Sequence, residues 1–320
     1  DGELLLAKDQ VITNEKAIEI EDAGIAAING SLSQVNMTGY TSVNLNKANI
    51  TSQNDLIDIK AIDNTSANTE VYGVQAGGVA FGAISSDVNN RSFAEVNVAS
   101  STLIASDNIG SSISITAEKN NRLDAYGFGI TGAVGAFGVI EANATDIGGS
   151  TIQISSGNTF KSKEVNLNSN NFQNITSKLL THTHGGITVG SGDIIAKENG
   201  LIKLSVAKGN SFAASAVNMH AVSDTKLDST SKAYNVGVVG IDVNEAKTIS
   251  DSTVLVGVDI GDKDYRSDAV LHISADNNTV QSAYTDGLGV GVVYSTINNE
   301  SNAEANLTTD VTVNGTGNGA

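Results

Sequence analysis

Residues 113–140 read ISITAEKNNRLDAYGFGITGAVGAFGVI. Ile113, Ile115 and Ala117 alternate with Ser, Thr and Glu, the period of two that marks a strand with one buried face. Asn120 follows, then a polar stretch, then an uncharged Gly/Ala/Val run over 125–140. The unit recurs as Ile57, Ile59, Ala61 and Asn64 ahead of 71–84, and as Leu271, Ile273, Ala275 and Asn278 ahead of 283–293. A degraded copy starts at Ile202, Leu204 and Val206, with its Gly/Val run delayed to 233–241. The starts at 57, 113, 202 and 271 are spaced by 56, 89 and 69 residues. Matched ends with variable lengths predict a stack of strands with loops of free length, which is a solenoid.

The amino-terminal region sets the expected coil. Ile18, Ile25 and Leu32 are seven apart, as are Val43, Ile50 and Ile57. The residues between them are Asn, Thr, Ser and Gly, poor helix formers, so each step reads as a short strand and a turn rather than a coiled-coil heptad. Three steps make a triangular coil of roughly 20 residues. On that basis the chain would form roughly 15 coils and a rod on the order of 70 Å long, at about 4.8 Å per coil. The stretch 168–192 is expected to be a loop excursion or a boundary between two halves of one solenoid; it and 211–232 break the frame and are the expected places of recognition. Asn64, Asn120 and Asn278 are expected to be structural residues at strand ends that ladder their amides. The Gly/Ala/Val runs are expected to be tightly packed strands, with a bilayer-entering apolar hairpin as the other reading.

Composition agrees with a nearly all-strand body. The 320 residues include no Pro, Cys or Trp, so no residue interrupts a ladder and no disulfide or thiolate site exists. A net charge of −17 repels phosphate backbones and argues against nucleic-acid binding. No run of 18 apolar residues is present. The chain opens inside a polar strand pattern without a signal peptide, so it is expected to be a single solenoid segment, 1–320, cut from a longer protein.

Two groups of residues suggest chemistry. His182 and His184 share one face of a strand and could share a metal, although Asp193 is merely the nearest acid. Asp259, Asp262, Asp264 and Asp268 place carboxylates at spacings that suit calcium, but without an EF-hand or β-roll motif. A solvated strand and a solvated turn are the expected states of these two groups, so no metal or cofactor is assigned. No P-loop, Gly-x-Ser-x-Gly or His-Glu-x-x-His motif is present, and Arg91, Arg122 and Arg266 are widely separated. No catalytic residue is assigned.

In its repeat style, carried by 113–120 and 125–136 and their copies, the chain resembles filamentous-haemagglutinin-like secreted exoproteins, closest to the fusobacterial leukotoxin-type filamentous adhesins. The resemblance implies a right-handed parallel β-helix, secreted or displayed on a bacterial cell surface. It implies a non-enzymatic, monomeric adhesin or toxin segment that engages a host cell-surface receptor or glycan. The alternatives are a membrane-active toxin segment using the Gly/Ala/Val runs and a polysaccharide-cleaving β-helix.

Overall fold

A computed structural model describes residues 27–106, 108–261 and 264–315. Their regular structure is all strand. Very long strands, β1 (Ala27–Asn46), β3 (Leu56–Ala99), β5 (Ser112–Ile154), β7 (Glu164–Val206), β9 (Ala216–Ile260) and β10 (Val270–Ala305), pair in parallel in chain order. Three-residue strands β2 (Asn49–Thr51), β4 (Thr102–Ile104), β6 (Thr159–Lys161) and β8 (Ser211–Ala213) form a second parallel sheet. The last strand, β11 (Thr308–Gly315), returns to pair with the end of β9. One turn of chain thus stacks on the next as a parallel β-helix.

The coil is much longer than the seven-residue spacing predicts. In-register partners lie 52 to 57 residues apart, as for Asn158 with Asn210 and Ser101 with Asn158. The reason is that each coil has two parts. Its base is the expected triangle: Val43 lies on one side, Ile50 on the short strand and Ile57 on the next side. Between two of these sides the chain leaves on a long arm and comes back. The described residues therefore form five full levels, stacked to roughly 25 Å at about 4.8 Å each, not a 70 Å rod. Ile18 and Ile25 lie outside the described residues.

Register also regularises the repeat. Ile57 pairs with Ile113, Ile113 with Val165, Val165 with Val217, and Val217 with Leu271. The start at Ile202 is not one of these; it belongs to the homeward limb and pairs with Ser150 and Val254. Two true copies escaped because Val165-Asn-Leu and Val217-Asn-Met carry other side chains. The two stretches expected to break the frame are regular as well, and 168–192 is neither a loop excursion nor a boundary. Residues 168–192 run inside β7, and 211–232 supply β8 and the outgoing limb of β9. The Asn ladder exists, since Asn120 Nδ2 donates to Asn64 Oδ1 at 2.9 Å, but both sit within strands rather than at their ends. Phe172 and Asp224 occupy the next two levels, so the ladder stops before Asn278.

Three kinds of interior layer follow from which residues point inward. The base is apolar: Ile57, Ile113, Ile152, Leu167, Leu204 and Val256 pack with a near-parallel ring stack of Phe160, Phe212 and Tyr265, centroids 4.8 and 4.9 Å apart. The arm has its own apolar core around Leu123, Ile140, Ile175 and Leu227. A buried polar layer divides the two, with Asn90, Lys119, Asn121, Asp146, Ser169, Glu198 and Ser250 all shielded from solvent. Asp146 is its hub, accepting from Lys119 Nζ at 2.8 Å, Asn90 Nδ2 at 2.7 Å and Asn121 Nδ2 at 2.9 Å. The base corners are held by another column. Ser101 N donates to Asn158 Oδ1, Asn158 N to Asn210 Oδ1, and Gly209 N to Asp264 Oδ2, with left-handed backbone at Gly157 and Gly209.

Candidate functional site

The Gly/Ala/Val runs form the tip of the arm. In the second full coil the outgoing limb carries Tyr126, Phe128 and Ile130 on its outer face, the chain turns near Val134, and the homeward limb carries Phe137 and Val139. The limbs face each other through small side chains. Across the limbs, a Cβ on Gly129 would lie 2.2 Å from Ile140 Cδ1 and one on Gly73 2.3 Å from Ile84 Cδ1; between coils, one on Gly185 would lie 2.0 Å from the Ala133 carbonyl oxygen. Glycine is therefore required by close approach. Both limbs hydrogen-bond to the coils above and below rather than to each other. Stacking converts the runs into a thin fin whose outer faces carry no Asp, Glu, Lys or Arg. In this the runs are tightly packed strands, as expected, but bent into U-turns. Among the described residues no helix is long and apolar enough to cross a membrane.

His182 and His184 lie on the outer face of this fin. Their rings are 6.5 Å apart between centroids, and His182 stacks on Tyr234 at 5.0 Å. Asp193 stands apart from them, on the homeward limb in line with Glu141 and Glu245. Asp264 is buried, and its Oδ2 accepts from Gly261 N and Gly209 N, which fixes a turn. Asp268 forms an ion pair with Arg266, which holds its carboxyl below the usual range, and Asp259 accepts from Asn314. Asp262 lies outside the described residues. The structure thus gives these carboxylates separate duties. Among the described residues no three His, Cys, Asp or Glu side chains converge on a point that could hold a metal.

Between the base and the fin, the outer face of the outgoing limb holds a groove that the sequence did not single out. Asn64, Asn120, Arg122, Phe172, Asp224 and Lys226 line it. They come from four successive coils, because Asn64, Asn120, Phe172 and Asp224 form one column and Arg122 and Lys226 belong to the adjacent one. Phe172 is 39% exposed although it lies among amides and charges. Arg122 is also exposed and is steadied by Asp124 at 2.9 Å. A planar aromatic surface beside amide, carboxylate and guanidinium groups can stack on a sugar ring and hydrogen-bond its hydroxyls. The one signal in the sequence was Phe172 at an outward position where the two preceding copies have Asn64 and Asn120, and it becomes visible only once 165 is aligned with 113.

Carboxyls raised by burial lie elsewhere. Burial pushes Glu198 up to about 7; the hydrogen bond from Ser250 opposes the shift and the charge on Asp146 adds to it. Burial likewise raises Asp242, inside the fin, against hydrogen bonds from Asn235 and Gly190. Both are enclosed by the coil rather than facing a cleft. No family model, curated protein or solved structure matches the chain.

Proposed function

We propose that this chain is a non-enzymatic solenoid segment of a bacterial secreted adhesin or leukotoxin-type exoprotein, displayed on or shed from the cell, that engages a host cell-surface glycan. The observation that carries this reading is the groove around Phe172, Arg122, Asp224 and Lys226, which combines an exposed ring with fixed polar groups across consecutive coils. A solenoid suits such work, because stacked coils give a stiff surface on which side chains from distant parts of the sequence stand a fixed distance apart. The filamentous-haemagglutinin-like repeat style supports a secreted, host-directed setting.

Binding of the chain to a panel of acidic and neutral glycans and to host cells tests this. The native chain is expected to bind, and Phe172→Ala and Arg122→Ala each to lose at least tenfold in affinity with unchanged circular dichroism. Binding that survives both substitutions, or none by the native chain, would overturn it. New sugar ends appearing in the mixture would point instead to polysaccharide cleavage.

A further inference from the structure

We infer that the fin is a lipid-docking edge that enters the apolar layer of a phosphatidylcholine bilayer without forming a pore. Five observations lead there. First, the outer faces of the fin carry no acidic or basic residue apart from His182 and His184 over 71–84, 125–140, 179–192, 233–241 and 287–299, and Asp242, the one carboxyl inside it among the described residues, is buried. Second, it is exposed on three sides. Tyr72 and Val74 are 61% and 69% exposed on the outgoing face, Phe81 and Ile187 41% and 54% on the homeward face, and Val134 and Val292 73% and 86% at the crest. At about 3.3 Å per residue and 4.8 Å per coil, each broad face is roughly 20 Å square, about 400 Å². Two faces and a crest exceed the 300–600 Å² patch of an ordinary monomer.

Third, the backbone of both faces of the fin is paired coil to coil on the inner levels, as Gly127 with Leu179 and Phe137 with Val189, with the crest residues Gly78, Val134, Gly186 and Val238 and the outer edge of β10 outside the ladder. Where it is paired this way, the backbone of the two faces meets the main condition for contact with hydrocarbon. Fourth, the border of the fin has the chemistry of a membrane interface. Tyr72, Tyr126 and Tyr284 lie where the uncharged outgoing face ends, beside Lys178 and Lys232, whose stems can reach outward. Fifth, Glu141, Asp193, Glu245 and Glu300 form an in-register acidic row along the base of the homeward face. That row complements the choline ammonium of phosphatidylcholine and repels anionic headgroups.

Two of these observations also decide between a bilayer and a second copy of the chain. A flat partner covers one face, whereas lipid covers both faces and the crest. A second copy would bring a further −17 charge, including its own acidic row, against the first. The absence of a pore follows from the closed interior, where Gly129 packs against Ile140 and Gly73 against Ile84 across the two limbs.

The inference does not rest on the glycan reading, and one experiment separates them. The chain is floated with neutral phosphatidylcholine vesicles loaded with a self-quenched dye. The native chain is expected to co-float without releasing dye. Val134→Glu/Val238→Glu/Val292→Glu, all at the exposed crest, is expected to stay folded by circular dichroism and to lose at least tenfold of the bound fraction. Phe172→Ala is expected to float like the native chain. Failure of the native chain to float, unchanged flotation of the crest variant, or dye release would each overturn the inference. A concentration-dependent dimer that the crest substitutions dissolve would overturn it in favour of a second copy.

Discussion

Lys119 Nζ donates to Asp146 Oδ2 at 2.8 Å with both side chains wholly buried, although 27 residues separate them in the chain. The two residues face each other from the outgoing and homeward limbs of one coil, so their contact marks where the arm leaves the base. A buried pair of this kind is a poor source of net stability compared with well-packed apolar groups, but breaking it is costly.

Lys119→Met is therefore expected to lower stability by about 3–5 kcal/mol, because it leaves the Asp146 carboxylate buried with only amide donors. Asp146→Asn is expected to cost a similar amount by stranding the ammonium. Lys119→Met/Asp146→Leu should recover much of the loss. Urea unfolding followed by circular dichroism measures all three, and strictly additive losses in the double variant would show that the pair is not coupled.

Glu198 gives the chain a pH dependence. Its carboxyl is raised by burial from its ordinary 4.5 to about 7. Between those values the folded chain holds a proton that the unfolded chain has released, so this contribution to stability is full below pH 4.5, falls as pH rises, and is gone above 7. At 1.36 kcal/mol per unit the fall is about 3 kcal/mol. The native chain is expected to lose stability relative to Glu198→Gln between pH 5 and 7. Parallel stability curves for the two proteins would refute this.

Gly148 has a φ of +144°, and a Cβ there would meet the Ser92 carbonyl oxygen at 1.8 Å and Lys119 Nζ at 2.8 Å. Gly148→Ala is expected to cost about 2–4 kcal/mol, since neither the backbone oxygen nor the ion pair can move aside cheaply. Gly78 lies at the crest of the fin with nothing within 4 Å of its Cβ position, so Gly78→Ala should fall within about 0.5 kcal/mol of the native chain. Paired thermal melts distinguish the two.

Phe212 stacks between Phe160 and Tyr265 and is 1% exposed. Phe212→Ala removes the middle ring of the base and is expected to cost about 3–5 kcal/mol. Phe81 also stacks, on Phe137 at 4.9 Å, but on the open face of the fin. Phe81→Ala is expected to cost no more than about 1.5 kcal/mol. Equal losses in chemical denaturation would mean that the base is not the more tightly packed region.

The sequence by itself determined that the chain is strand throughout and that its strands stack in parallel as a solenoid. Ile113, Ile115 and their copies alternate with polar residues, no Pro interrupts the ladder, and Val43, Ile50 and Ile57 mark three sides of a triangle. The uncharged runs were equally plain. Only the tertiary structure decided the length of the coil, because period-two alternation continues unbroken round the bends of the arm and does not say where the chain turns back. It also decided which polar residues are buried. Lys119, Asp146 and Glu198 look like surface residues in a strand pattern, and only the opposition of two limbs places them inside. The groove was hidden for the same reason: Asn120, Phe172 and Asp224 are neighbours only because consecutive coils are stacked in register.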